Sequence, residues 1–382
     1  MALLLKGFEV EMYTGTLNAE AVGLSDQIIR ALPDFMREPD QRNVEYATPP
    51  LHDYHELLCA LLMPRCQLRH YLRGLGNYTL IPGSTLATGD SNHFLRSDPE
   101  NPYHDRIEQL YGTRVVTSSI HINFGIEDPE DILKASRLLR LEAPVLLALS
   151  ASSPFLNGEA TGLHSTRWLR FPQTPETVPL FLSHAHYIDW VESQLRLGTM
   201  FNVRHLWSSV RPNGADRPYN INRVELRISD LISNPSALLG ITALIETRLL
   251  ALLSGAIPDP LTASFTPQEL IAITQANEQA AARDSLDAKL IDWQTGRTLS
   301  AREWAERWLV QAIPVSREQG FADYLPAVEK VLLEGNEAIR WLKQHQSGVP
   351  IPQIMKEAIV RLALEEADLR SRLCTERVAG PC

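Results

Sequence analysis

Apolar and polar positions alternate with a period of two in four separated stretches of the chain: G-F-E-V-E-M-Y at residues 7–13, N-V-E-Y-A-T at 43–48, S-S-I-H-I-N-F-G at 118–125 and R-V-E-L-R-I-S-D at 223–230. Residues i and i+2 of an extended strand share a face. Glu9 with Glu11, His121 with Asn123, and Glu225 with Arg227 therefore project as pairs, while Phe8, Val10, Ile120, Ile122, Phe124, Val224, Leu226 and Ile228 point the other way, into a core. Elsewhere the apolar period lengthens to that of helices, predicted over residues 17–36, 53–72, 176–197 and 235–255. Another runs from Asp128-Pro129, an N-cap carboxylate with proline at the first helical position, to about residue 150. Residues 73–102, rich in Gly, Pro, Ser, Thr and Asn, read as a long functional loop in which Gly74 and Gly76 make a turn, and 157–170 as a loop delivering polar groups. Beyond Pro258 helix follows helix: Thr266 with Glu269 and Ser300 with Glu303 form capping boxes, and further helical patterns cover 317–346 and 350–373. The pattern predicts one α+β unit spanning 1–382, with a sheet-bearing part at 1–257 and a helical buttress at 258–382.

The polar face of such a sheet is electrostatically crowded. Two carboxylates about 6.7 Å apart on one strand repel by about 2.5 kcal/mol at an effective dielectric of about 20, and Glu45 and Glu225 add to the crowding. A divalent cation relieves that repulsion, and oxygen ligands with a minority of imidazole suit Mg²⁺ or Mn²⁺. For any one strand the ordinary alternative is a charged solvent face, but four coinciding pairs favour a metal-and-phosphate site. Arg227 stands beside Glu225 where a transferring phosphoryl group would pass, its alternative role being an ion pair with Glu225.

Composition narrows the classes. A hydrophobic content of 44% with 21% charged residues belongs to a globular protein, and a net charge of −10 argues against nucleic-acid or anionic-membrane partners. The most apolar long segment, 238–257, carries Glu246 and Arg248 at its centre, which a membrane span tolerates poorly. Cys59, Cys66, Cys374 and Cys382 have no C-x-x-C spacing and read as reduced thiols in a cytoplasmic protein. His184 with His186 and His52 with His55 lack a metal-binding pattern on helices. Trp293, Trp304, Trp308 and Trp341 read as core.

Taken together, G-F-E-V-E, S-I-H-I-N-F-G, the L-L-A-L-S-A-S-S-P-F block with its following T-G-L-H-S-T-R, V-E-L-R-I-S-D, and the 277–297 block resemble the signature blocks of bacterial glutamate-cysteine ligases of the cyanobacterial type, within the carboxylate-amine ligases. The resemblance implies a glutamine synthetase-like antiparallel catalytic sheet with helices packed on one face and a helical C-terminal region. It implies ATP-dependent joining of the glutamate γ-carboxylate to the cysteine amine, giving γ-glutamylcysteine through γ-glutamyl phosphate, the first step of glutathione biosynthesis. On the matching positions Glu9, Glu11, Glu45, His121 and Glu225 are expected to hold the divalent ions, and Arg167 to bind the carboxylate of the amino-acid substrate. Glu225 and Arg227 are expected to be catalytic, with Asn123 and Arg227 contacting substrate. Glu38 is in register with one more acidic ligand of some relatives, although Pro39-Asp40 gives it a turn context. Arg283 and Arg297 are expected to touch the site. The small-molecule partners would be glutamate, cysteine and ATP, and a homodimer is allowed for. Rival readings are a ligase of the same fold with another amine, a metal-dependent phosphohydrolase and a non-catalytic scaffold.

Overall fold

A computed structural model describes residues 2–376. The strands in chain order are β1 (Lys6–Thr16), β2 (Phe35–Arg37), β3 (Asn43–Ala47), β4 (Tyr78–Ile81), β5 (Ile120–Gly125), the hairpin β6 (Phe155–Leu156) and β7 (Glu159–Ala160), β8 (Val210–Asn213), β9 (Arg223–Leu226), and a second hairpin, β10 (Lys289–Ile291) and β11 (Thr298–Ser300). Seven of them form one antiparallel sheet in the order β2-β3-β1-β5-β9-β8, with β4 pairing the C-terminal half of β1. The longest strand, β1, is central. Its Phe8, Val10 and Met12, with Val44, Ile120, Ile122, Phe124, Val224 and Leu226 from its neighbours, are all buried on one face, as the period of two predicts.

Helices cover that face. α1 (Ser25–Ala31) is a short edge element, whereas α2 (Tyr54–Leu75), α4 (Pro129–Ser150) and α7 (Pro235–Leu253) form the packed layer, with α3 (Pro102–Tyr111), α5 (Thr166–Arg170) and α6 (His184–Leu197) at the periphery. Asp128 caps α4 by accepting from the amides of Glu130 and Asp131, with Pro129 at the first position as expected. Although α7 is long and apolar enough to cross a membrane, its apolar surface is spent inside the protein. Its two charges are both paired in the interior. Glu246 binds Lys6 at 3.1 Å, the Tyr54 hydroxyl at 2.7 Å and the Leu4 amide at 2.6 Å, while Arg248 grips both oxygens of Glu142 at 3.0 and 2.6 Å. Buried charges of this kind persist only when paired in this way.

The helical C-terminal region comprises α8 (Pro267–Asp284), α9 (Ala301–Gln319), α10 (Leu325–Glu334), α11 (Glu337–Gln346) and α12 (Ile351–Glu376). Both expected capping boxes are present, and Trp293, Trp304, Trp308 and Trp341 are core residues. The helix expected over 17–36 shrinks to α1. Upstream of it the Thr16 hydroxyl accepts from the amides of Asn18 and Glu20 and turns the chain back along β1; downstream, Pro33 cannot continue a helix and Phe35 pairs into the sheet as β2. The expected loop at 73–102 contains β4, and the loop at 157–170 contains β7 and the single-turn α5. The helix expected from 176 starts at His184, where the Ser183 hydroxyl caps the His186 amide. The pattern at 317–346 is split by Gly320 and Gly335, both at positive φ. Cys59 and Cys66 are half-buried thiols; the readings for Cys374 and Cys382 lie outside the described side chains.

Gly240 marks the tightest helix contact. A Cβ there would lie 2.5 Å from the Tyr324 carbonyl oxygen and 2.6 Å from a Val328 methyl, so α7 and α10 cannot meet with any side chain at this position. Gly240→Ala should therefore destabilise the protein by about 1–3 kcal/mol, against the roughly 1 kcal/mol gain that helix propensity alone predicts. Equilibrium urea unfolding reads the difference, and a stabilised variant would show that the helices can part without cost.

Candidate active site

Cross-strand register fixes the polar face without appeal to spacing. Residues directly opposite each other in an antiparallel pair share a side of the sheet. Glu45 on β3 faces Glu11 on β1; Glu9 on β1 faces His121 on β5; Asn123 on β5 faces Glu225 on β9; and Glu225 faces Arg211 on β8. The pairs expected from the sequence therefore stand in one row across the sheet, and Glu9, His121 and Glu225 offer ligand atoms within 4.8 Å of one another. His121 Nδ1 donates to Glu9 Oε2 at 2.9 Å; its Nε2 lies 3.7 Å from Glu11, and Asn123 donates to Glu9 Oε1 at 3.2 Å.

The row is polarised. At the β2 end, Glu38 and Glu45 hydrogen-bond each other. Burial pushes Glu38 well above the usual carboxylate range, reinforced by the charges of Glu11 and Glu45, and burial also raises Glu45. In the middle, burial works to raise Glu9, but the His121 hydrogen bond together with the charges of His121 and Arg227 outweighs it and holds Glu9 below its ordinary value. At the β8 end, Glu225 has no solvent exposure, yet it stays well below the carboxylate range because Arg211 and Arg227 more than offset its desolvation. Arg211 donates to both Glu225 oxygens at 2.8 and 3.1 Å, Asn213 donates to one at 2.5 Å and Arg227 to the other at 2.5 Å. Burial and the neighbouring Arg227 bring Arg211 down to about 10. Arg223, on the same edge, donates to Asn123 at 3.1 Å. The face thus runs from carboxylates through imidazole to guanidiniums.

Arg167 lies beneath the end of β9. Its Nη1 donates to the Ile228 carbonyl at 3.0 Å and its Nη2 to the Arg227 carbonyl at 2.8 Å, so it anchors the backbone that carries Arg227. Fully buried Asp230 organises this corner: it accepts from the Ser152 amide and from the hydroxyls of Ser153 and Ser165, and stands 3.7 Å from Arg167. Buried donors remain over at this corner: Arg167 Nε and the hydroxyls of Tyr13 and Ser229 have no hydrogen-bond partner.

Over residues 5–365 the sequence matches the family described as glutamate-cysteine ligase family 2. The chain belongs to this family. Among the family's relatives, a Rubrobacter xylanophilus protein named "Putative glutamate--cysteine ligase 2-3" is 27% identical over 297 residues, covering 75% of this chain and 76% of its own. The fold is that of a Francisella tularensis glutamate--cysteine ligase solved in complex with AMP, with a TM-score of 0.69, 13% identity, and coverage of 98% of this chain and 93% of that one. A bifunctional glutathione synthetase from Pasteurella multocida superposes with a TM-score of 0.70 at 16% identity, over 96% of this chain and 53% of that one. Membership makes the protein one of the carboxylate-amine ligases.

Within the family's polar face, Glu38 joins the carboxylates directly, which its turn context obscured: Met36 opposes Glu45 across β2 and β3, and Glu38 follows two residues on. Arg211 and Asn213 were missed, although Arg-Pro-Asn repeats the same i,i+2 spacing. Arg283 and Arg297 do not reach the face. Both side chains are exposed; only the carbonyl of Arg283 contributes, accepting from His164 in the loop that bears Arg167, and Arg297 sits in the turn between β10 and β11. His184 is engaged by the Pro218 carbonyl and His52 by the Leu3 carbonyl.

A raised carboxylate pKa means that the folded state holds its proton more tightly than the unfolded chain does. Stability therefore falls as pH rises through the unfolded carboxylate value of about 4.3 towards the folded one. In the metal-free protein Glu38→Gln should remove that loss and raise stability at pH 7.5 by up to about 1 kcal/mol. Thermal midpoints at pH 4 and pH 7.5 test this; a variant less stable than wild type at the higher pH contradicts the crowding.

Proposed function

We propose that the chain is an ATP-dependent glutamate-cysteine ligase forming γ-glutamylcysteine through γ-glutamyl phosphate, in the cytoplasm and as the first step towards glutathione. The observation that carries this reading is the polarised row, acid at one end and guanidinium at the other, with unsatisfied buried donors, Arg167 Nε and the Tyr13 hydroxyl among them, beside it. A phosphohydrolase needs the carboxylates but has no use for the Tyr13 and Arg167 donors, which suit a substrate carboxylate. The AMP bound by the Francisella ligase supports a nucleotide as co-substrate.

The donor set fits a hard divalent cation. Glu9, Glu11, Glu45 and His121 would hold Mg²⁺ or Mn²⁺, with Glu38 joining them, and Glu225 at the boundary with its oxygens already engaged by arginines and Asn213. When bound, the cation would supply charge neutralisation for the ATP oxygens. The residues themselves position and screen. Arg227, oriented by Glu225, would meet the oxygens of the phosphoryl group in flight; Asn123 would help fix the substrate; and Arg167 would fix the glutamate while holding the Arg227 backbone. A γ-carboxylate oxygen attacks the terminal phosphorus as its bond to ADP breaks. The cysteine amine then attacks the acyl carbon, phosphate leaves and the nitrogen loses a proton.

With ATP, Mg²⁺ and glutamate but no cysteine, hydroxylamine should trap γ-glutamyl hydroxamate with stoichiometric ADP. A hydrolase would release phosphate without glutamate. If cysteine must bind before the site closes, a cysteine analogue lacking the amine restores trapping; failure in both arrangements, in an enzyme still making γ-glutamylcysteine, would falsify the acyl-phosphate route. Preference for another amine in a panel would move the assignment to a sister ligase. Arg167→Lys, whose point charge cannot replace a planar fork, should raise the KM for glutamate at least tenfold, with a smaller change for ATP. A KM change confined to ATP would remove Arg167 from the glutamate site.

A further inference from the structure

A cavity of about 440 Å³ lies between the start of α7 and helices α10, α11 and α12, and none of the polar-face residues lines it. Its volume is that of a small-molecule site. Leu149, Ile241, Trp341 and Leu362 supply apolar wall, and four acidic and four basic side chains complete the lining, so the cavity is neutral as a whole. A ligand of one sign gains nothing from such a field; a dipolar one does if its poles match the arrangement.

Glu337, in the first turn of α11, accepts from the Ser233 hydroxyl at 3.0 Å, and half-buried Glu365 accepts from the Asn234 side chain at 2.9 Å. Ser233 and Asn234 lead directly into α7, so the two carboxyls stand at its approach. Arg340 lies one turn further along α11, with one guanidinium nitrogen held by the Gly335 carbonyl, and Arg361 reaches in from the exposed face of α12. We infer that this cavity is a binding site for a small zwitterion, an α-amino acid with an apolar side chain, whose ammonium meets Glu337 and Glu365, whose carboxylate meets Arg340 and Arg361, and whose side chain lies against Trp341.

Burial pushes Glu337 up to about 7; Glu365 adds to the rise, while Arg340, Arg361 and the Ser233 hydrogen bond oppose it. From α10, Lys330 and Glu334 also line the cavity. An ammonium pairs with the ionised carboxyl only. Between pH 6 and pH 8 the ionised share of a group titrating near 7 rises about tenfold, and apparent affinity should rise with it.

The test uses the full chain and three probes of one length: norleucine, hexanoate (no ammonium) and pentylamine (no carboxylate). Calorimetry and tryptophan fluorescence should show saturable norleucine binding, at least tenfold tighter than either truncated probe and about tenfold tighter at pH 8 than at pH 6. The fluorescence response should vanish in Trp341→Phe. Glu337→Gln should weaken binding at least tenfold and abolish the pH dependence, and Arg361→Gln, at an exposed position that leaves folding intact, should weaken it as well. Absence of norleucine binding, equal binding of hexanoate or pentylamine, or indifference to both substitutions overturns the inference. Loss of binding in Glu9→Gln but not in Glu337→Gln would place the amino acid on the polar face instead, and also overturns it. Because binding is read without turnover, the result stands apart from the ligase assignment.

Discussion

Glu225 is a carboxylate wholly removed from water, and the geometry of the polar face follows from keeping it ionised. Desolvating such a group costs several kcal/mol unless every lone pair is met; here two arginines and an asparagine meet them. The same bonds lock β8 to β9 through their side chains and aim Arg227 at His121, whose Nδ1 it approaches to 3.4 Å. Without the carboxylate, the guanidiniums of Arg211 and Arg227 would repel. Without the guanidiniums, the carboxylate would take up a proton and the row would lose its polarity.

The opposite end is arranged on the contrary principle. Glu9, Glu11, Glu38 and Glu45 have one imidazole among them, and burial with mutual repulsion raises Glu38 and Glu45 above their ordinary values. Repulsion left standing in the folded protein is characteristic of sites that take up an exogenous charge, whereas repulsion already cancelled, as around Glu225, serves to hold a shape. The face therefore combines a rigid basic edge, its charges cancelled, with an acidic edge whose charges are not. Asp230 extends the rigid half by tying the Arg167 loop to the tail of β9 through three serines.

The strands and their facing were legible because a period of two is written directly into the chain, and the caps of α4, α8 and α9 because capping chemistry is local. What escaped was set by partners remote in sequence. Arg211-Pro212-Asn213 looks like a turn, since proline lacks a ladder donor, and only its place on the sheet edge makes it a strand. Glu38 is followed by proline and reads as a turn residue until β2 is seen beside β3. Arg283 and Arg297 occur in a family-like block, but their helix and hairpin turn them outward, and no local signal records that. The apolar run at 17–36 was misread because the Thr16 turn and the β2 pairing are tertiary choices that override helical periodicity.

The strand that precedes all others in the chain is the central one, and this order has a consequence for biosynthesis. As β1 leaves the ribosome it lacks both flanking strands: β3 follows some thirty residues later, β5 more than a hundred, and the β8–β9 edge more than two hundred. Such distant pairings make for slow, non-local folding. A nascent chain must keep an alternating amphipathic strand soluble until its partners are made, and in that interval the glutamates of β1 guard it against pairing with the wrong neighbour.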